Sequence, residues 1–218
     1  MFTLVFDTTV NYCSIALFEN NNLKDKFEKE MDFGQAETLI VEINELLNKN
    51  NLVFKDLSLV GVCTGPGSFT GVRSSVSATR AFKLAVPDLC VAGINAFETY
   101  ISELNSNEIA DINAVIIETK REDFYVQYYD KNLNKLEAPA TAFYDNIIHY
   151  LGSKKVTLIG DGVERFLNKP SGLNLHTIKM KNHINIENMA LLAIKKFNIK
   201  NTDFPKPLYL KAPDVCIK

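Results

Sequence analysis

No block of like charge stands out in this 218-residue chain, and its formal net charge is only −2. That excludes nucleic-acid binding through a basic field alone, because neutralising phosphates needs clustered Lys and Arg. Cysteine is sparse: Cys13, Cys63, Cys90 and Cys216 form no CxxC pair and no metal-ligand spacing. Three of them sit in apolar segments, the pattern of reduced structural thiols. The three histidines, His149, His176 and His183, have no histidine four residues on, so no helical two-histidine zinc site is available and no metal site is expected. No apolar run approaches the length of a membrane span. Residues 1–6 run straight into a charged turn at Asp7, unlike a secretory leader. The expectation is a cytoplasmic protein without membrane contact.

What the chain does contain is enough apolar sequence, 46% of residues, to bury a sizeable core in one or two domains. Thr3 to Phe6, Tyr12 to Phe18 and Leu23 to Lys29 read as an opening antiparallel meander. A helix is predicted from about Gln35 to Asn48, with Ala36, Leu39, Ile40, Ile43, Leu46 and Leu47 on one face. Leu57 to Cys63 is apolar enough for a central strand. Leu89 to Ala92 predicts a strand and Ala96 to Leu104 a helix. Polar residues 105–108 look like a boundary, after which the pattern restarts. Ala114 to Ile117, a turn at Glu118-Thr119-Lys120-Arg121, and Phe124 to Tyr129 mirror residues 3 to 18. Val156 to Ile159 leads into Gly160-Asp161-Gly162, and Ile186 to Phe197 is a helix with Asn185 as its cap. Two α/β domains of like topology are expected, 1–104 and a smaller 105–218, with an extended proline-bearing tail returning toward the first.

Residues 65 to 71 read Gly-Pro-Gly-Ser-Phe-Thr-Gly between the central strand and a helix predicted over 71–86. Such a loop suits close approach of backbone to a phosphate. It fails the Walker fingerprint, since Gly71 leads to Val72-Arg73, and the dinucleotide fingerprint, since position 70 is Thr. A tight strand-to-helix connection is the alternative. Asp7 and Glu118 each end a strand, where a carboxylate can hold magnesium through water or serve only the turn. Ser14 and Ser68 have no neighbouring histidine or GxSxG turn to make them nucleophiles. The helix at 71–86 carries charge only at Arg73, Arg80 and Lys83, on one arc. Val72, Val76, Phe82, Leu84 and Val86, with small Ser74, Ser75, Ala78, Ala81 and Ala85, fill the rest. A helix apolar nearly all round is buried on more than one side, by its own sheet and then by another helix, the second domain or a partner.

Four stretches carry a resemblance. Phe6-Asp7-Thr8-Thr9 with Cys13-Ser14-Ile15-Ala16-Leu17, the signature Gly65 to Arg73, Glu118 to Arg121 with Phe124-Tyr125, and Pro207 to Asp214 follow, in order, the motifs of the TsaB (YeaZ) family. That family is a bacterial component of tRNA threonylcarbamoyladenosine biosynthesis. Departures are Gln35-Ala36-Glu37 where the family often reads His-Ser-Glu, and Glu118-Thr119 for Asp-Ala. The resemblance implies two ribonuclease H-like lobes of the actin-like (ASKHA) type with mixed sheets. It implies a non-catalytic scaffold with no cofactor of its own that binds the catalytic paralogue TsaD, is joined by the ATPase TsaE, meets tRNA indirectly, and forms a homodimer when alone. The two long helices would form the dimer face, through Ile40, Ile43, Leu47, Val72, Ser75, Val76, Ala78, Thr79 and Phe82. Asp7, Thr8, Gly65 and Gly67 are candidates for a nucleotide contact, with ATP or ADP at the partner interface. Competing readings are an actin-like ATPase or small-molecule kinase, and a peptidase.

Overall fold

The computed structural model describes residues 1–202 and 204–211. Two five-stranded mixed sheets, each flanked by helices, make up the fold. The first contains β1 (Phe2–Asp7), β2 (Tyr12–Glu19), β3 (Asn22–Glu30), β4 (Leu57–Cys63) and β5 (Cys90–Ile94), in the order β3-β2-β1-β4-β5. The second contains β6 (Ile112–Glu118), β7 (Asp123–Asp130), β8 (Ala140–Phe143), β9 (Lys155–Gly160) and β10 (Asn174–Met180), in the order β10-β9-β6-β7-β8. Mapping β1 to β6, β2 to β7 and onward makes the two orders identical. Both contain an antiparallel hairpin and then parallel pairs, β1 with β4 and β6 with β9.

In the first sheet, alternation sends Leu4, Phe6, Ile15, Leu17, Val60, Val62 and Val91 to one face, under α1 (Gln35–Lys49) and α2 (Phe69–Ala85). Leu39, Ile43, Leu46 and Leu47 of α1 recur at helical spacing and are buried there, each contributing about 1.5–3 kcal/mol relative to exposure. Phe82 of α2 lies on the same side, edge-on to Phe6 at 6.1 Å. The opposite face is covered by α6 (Ile186–Asn198), whose Met189, Ala190, Ala193 and Ile194 are buried, and which packs on β1, β2, β4 and β5. Asn185 caps α6 as expected, accepting from the amides of Glu187 and Asn188.

By contacts the chain forms two compact units, residues 1–99 with 184–208, and residues 100–183 with 209–218. A boundary at 104/105 leaves α6 in the second half. The contacts place it in the first, where it packs on β1, β2, β4 and β5. The helix read as Ala96 to Leu104 is shorter, α3 (Ala96–Ile101).

The second unit has its own core of Ile112, Ile116, Phe124, Val126, Leu158, Val163 and Phe166. It contains four elements with no clear sequence signal: β8, α4 (Tyr144–Leu151), α5 (Val163–Leu167) and β10. The two strands are sheet edges and mostly half-exposed or exposed, so apolar alternation is weak. Among the described residues no helix is long and apolar enough to cross a membrane. Cys216 and the end of the terminal motif, residues 212–214, lie outside the described residues.

Candidate functional site

The end of β1 and the glycine stretch meet. Asp7 is 1% exposed, and its Oδ1 accepts the Thr9 amide at 2.9 Å, closing the turn into β2. Thr8 Oγ1 donates to the Gly71 carbonyl at 2.8 Å and lies 2.7 Å from Ser75 Oγ. The Ser68 amide donates to the Thr9 carbonyl at 2.6 Å. The contact is so close that a Cβ at Gly67 would lie 2.4 Å from the Thr9 carbonyl oxygen, and one at Gly71 would lie 1.8 Å from that of Thr8. Glycine is required here by close approach, and what approaches is the chain's own turn. Asp7, Thr8, Gly65 and Gly67 are therefore neighbours, as their candidacy for a nucleotide contact needs. The cradle, however, is filled by Thr8 and Thr9.

Ser68 is the N-cap of α2 and accepts from the Gly71 amide, so α2 starts at Phe69 and Thr70 lies inside it. Cys63 and Cys13 flank Asp7. Burial, with the Asp7 charge nearby, pushes the Cys13 thiol up to about 12 and Cys63 well above its ordinary value. Neither is a thiolate nucleophile. Among the described residues no group of three His, Cys, Asp or Glu side chains could hold a metal ion.

The second unit repeats the arrangement with different chemistry. Glu118 ends β6, and its Oε1 accepts the Lys120 amide at 2.5 Å, as Asp7 accepts Thr9. Arg165 of α5 then takes both carboxylate oxygens, Nε to Oε2 at 2.6 Å and Nη2 to Oε1 at 2.8 Å. It also donates to the Asp123 carbonyl and lies 3.8 Å from the Phe124 ring centroid. Asp161, inside Gly160-Asp161-Gly162, accepts the Glu118 amide at 3.0 Å. A Cβ at Gly160, at φ +134°, would lie 2.1 Å from the Ile116 carbonyl oxygen. The Glu118 carboxylate is engaged by Arg165 through both of its oxygens. Sequence reasoning missed Arg165; its one signal was a lone arginine three residues after the Gly-Asp-Gly step.

The proposed interface residues divide by burial. Ile43, Leu47, Val72, Ser75, Val76 and Thr79 are buried within the first unit, and Ala78 and Phe82 are packed on its core. These eight are therefore buried or half-buried rather than presented to an incoming surface. Of the nine, Ile40 alone is exposed, at 39%. The surface that faces outward runs through Phe69, Arg73, Ser77, Ala81 and Leu84 on α2, at helical spacing, with Ile40 and Val41 on α1. Leu84 is 83% exposed, and Phe33 just before α1 is 89% exposed. Arg73 lies 4.9 Å from the Phe69 ring centroid. The small Ser77 and Ala81 at its centre leave room for close helix approach.

Comparison with known proteins agrees with this architecture. The chain is 28% identical over 126 residues to the tRNA threonylcarbamoyladenosine biosynthesis protein TsaB of Buchnera aphidicola subsp. Baizongia pistaciae; the match spans 57% of this chain and 57% of that relative's length. YeaZ from Pseudomonas aeruginosa superposes with a TM-score of 0.80 over 96% of this chain and 99% of that one, at 17% identity. A Bacteroides thetaiotaomicron protein described as having an actin-like ATPase fold superposes with a TM-score of 0.52 over 88% and 95%, at 12% identity. These two likenesses establish the actin-like fold. The family model for TsaD, tRNA N6-adenosine threonylcarbamoyltransferase, matches residues 34–216. With most of its length under that model and several TsaB proteins among its curated relatives, the chain belongs to the threonylcarbamoyladenosine-biosynthesis family, as a TsaB (YeaZ) member.

Proposed function

We propose that this chain is a non-catalytic platform in tRNA threonylcarbamoyladenosine biosynthesis, which binds and stabilises a TsaD-type catalytic subunit. The observation that carries the reading is the filled glycine loop. Backbone that would grip a phosphate instead grips the Thr8-Thr9 turn, with the Ser68 amide bound to the Thr9 carbonyl. What remains outward is a helix face of aromatic, small and aliphatic residues, the composition of a docking surface. In this reading TsaD docks on the Phe69–Leu84 face of α2 and the adjoining Ile40 and Val41. TsaE joins the larger assembly, tRNA is met through the partner, and the same face pairs two copies when the chain is alone. A nucleotide, if one takes part, sits with the partner. The work is done in the cytoplasm.

Reconstitution tests this. Threonylcarbamoyl transfer to tRNA by the TsaD-type subunit and TsaE should rise at least tenfold when this chain is added. Unchanged transfer refutes the platform role. The buried Asp7 at the end of β1 motivates a second reading, an actin-like ATPase or kinase. It predicts phosphate release from ATP by the isolated chain that disappears in Asp7→Ala.

A further inference from the structure

Gly65 and Gly93 lie beneath one stretch of chain, Phe204–Leu208. A Cβ on Gly65, at φ +93°, would stand 3.4 Å from the Leu208 carbonyl oxygen, and one on Gly93 would stand 3.5 Å from Pro205 Cα. The Leu208 amide donates to the Thr64 carbonyl at 2.8 Å, at the point where β4 gives way to the glycine loop. The Thr64 amide in turn donates to Ile94, so both polar groups of this residue are held. Arg80 reaches from the middle of α2, donating through Nη2 to the Pro205 carbonyl at 3.3 Å. Its guanidinium lies 5.5 Å from the Phe204 ring centroid. Pro205 is buried although Phe204 and Lys206 on either side are exposed. Beginning six residues beyond α6, the chain is thus pinned at three places: to α2, to β5 and to the root of the glycine loop.

We propose that Phe204–Leu208 is a strap that fixes the glycine loop and the start of α2, with Arg80 as its latch. Arg80 is a positioning residue: it touches the strap, and the strap holds the Thr64 carbonyl from which the loop departs toward Ser68, the N-cap of α2. Lifting the strap leaves that carbonyl without its donor and removes the backbone lying over Gly65. The loop can then shift, and the outward face of α2 shifts with it. The consequence for partner binding rests on the platform reading; the strap itself does not.

Amide hydrogen exchange on the full chain, resolved by residue, tests the device. In Arg80→Ala the Leu208 amide should exchange at least tenfold faster, and the Ser68 and Val72 amides should accelerate with it. Val126, in the second sheet, should be unchanged. Arg80→Lys should fall between, because a lysine keeps one donor and loses the planar stack on Phe204. Leu208→Pro removes the amide itself and should accelerate Ser68 and Val72 with Arg80 intact. Unchanged Leu208 exchange in Arg80→Ala overturns the latch. Faster Leu208 exchange with Ser68 and Val72 unchanged overturns the strap's hold on the loop. Binding to a TsaD-type subunit should weaken at least threefold in Arg80→Ala. If the unsubstituted chain does not bind, the platform reading falls while the exchange data still decide the strap.

Discussion

The two units present one strand order and one junction, in which the hairpin turn after the first strand meets the glycine-bearing step after the fourth. They close it by different means. In the first unit the closure is backbone against backbone: Thr8 and Thr9 fill the space that side chains at Gly67 and Gly71 would take, and a 17-residue helix, α2, follows. In the second, backbone contact survives at Gly160, but the acid of the turn is tied down by Arg165 from a helix of five residues. A steric closure tolerates nothing larger than hydrogen, whereas an ionic closure depends on two side chains. The first unit keeps a long helix with an exposed outer face; in the second the short α5 carries the ion pair itself. The topology dictates where the junction forms and leaves open what it does.

The largest effect expected is from Gly71→Ala, whose new methyl would meet the Thr8 carbonyl oxygen at 1.8 Å. The cost should exceed about 3 kcal/mol in urea unfolding, or the chain should fail to accumulate. A cost below about 1 kcal/mol would show that the turn can retreat and that the closure is not steric. Arg165→Ala should cost less, about 1–2 kcal/mol, because the arginine side chain is about a third exposed and water screens part of the pair. Arg165→Lys should recover under half of that, having lost the two-pronged geometry. Thr8→Val, which deletes one neutral donor in the first unit, should cost about 1 kcal/mol. If Thr8→Val proved costlier than Arg165→Ala, the contrast between steric and ionic closure would be reversed.

Acid should weaken the second turn. Burial pushes the Asp123 carboxyl up, but hydrogen bonds from Lys211 and Thr119 outweigh it and hold the group below its ordinary value. A carboxylate depressed in the folded state stabilises it fully above the unfolded value, about 3.9, and that contribution is lost as pH falls through the lower folded value. Melting temperature should therefore decline below about pH 4. The decline should be shallower in Lys211→Gln. An unchanged acid limb in that variant would remove Asp123 from the ionic closure. The smallest effect concerns thiols. In the native chain an alkylating probe, read by peptide mapping, should mark the half-buried Cys90 well before Cys13 or Cys63, both fully buried with raised pKa values. Early labelling of Cys63 would mean that the first junction opens.

Much of this was legible where apolar periodicity is strong. β1, β2, β4, α1 and α6 follow from runs such as Leu57–Cys63 and from the capping Asn185, because buried faces demand that spacing. The edge elements β8 and β10, half in water, carry no such demand and left no pattern. The glycine signature located the junction correctly but could not say what it contacts. Gly67 and Gly71 look alike whether they admit a phosphate or a carbonyl. The interface residues that the resemblance implied lie mostly on the inner side of each helix, and Val72, Val76 and Thr79 are buried there. Ala81 was legible as one of the small residues of the helix, whereas Ser77 left no signal, because a small polar residue outside the core makes no pattern. Arg165 and Arg80 were missed because their partners, Glu118 and Pro205, are 47 and 125 residues away in sequence.

The central claim is that the outward face of α2 is where the catalytic partner docks. The direct test is the double variant Ser77→Arg, Ala81→Arg, titrated against a TsaD-type subunit by calorimetry, with circular dichroism confirming an unchanged fold. Both positions have low packing demand, so folding should survive while affinity drops at least tenfold. Equal affinity in the folded double variant would contradict the account.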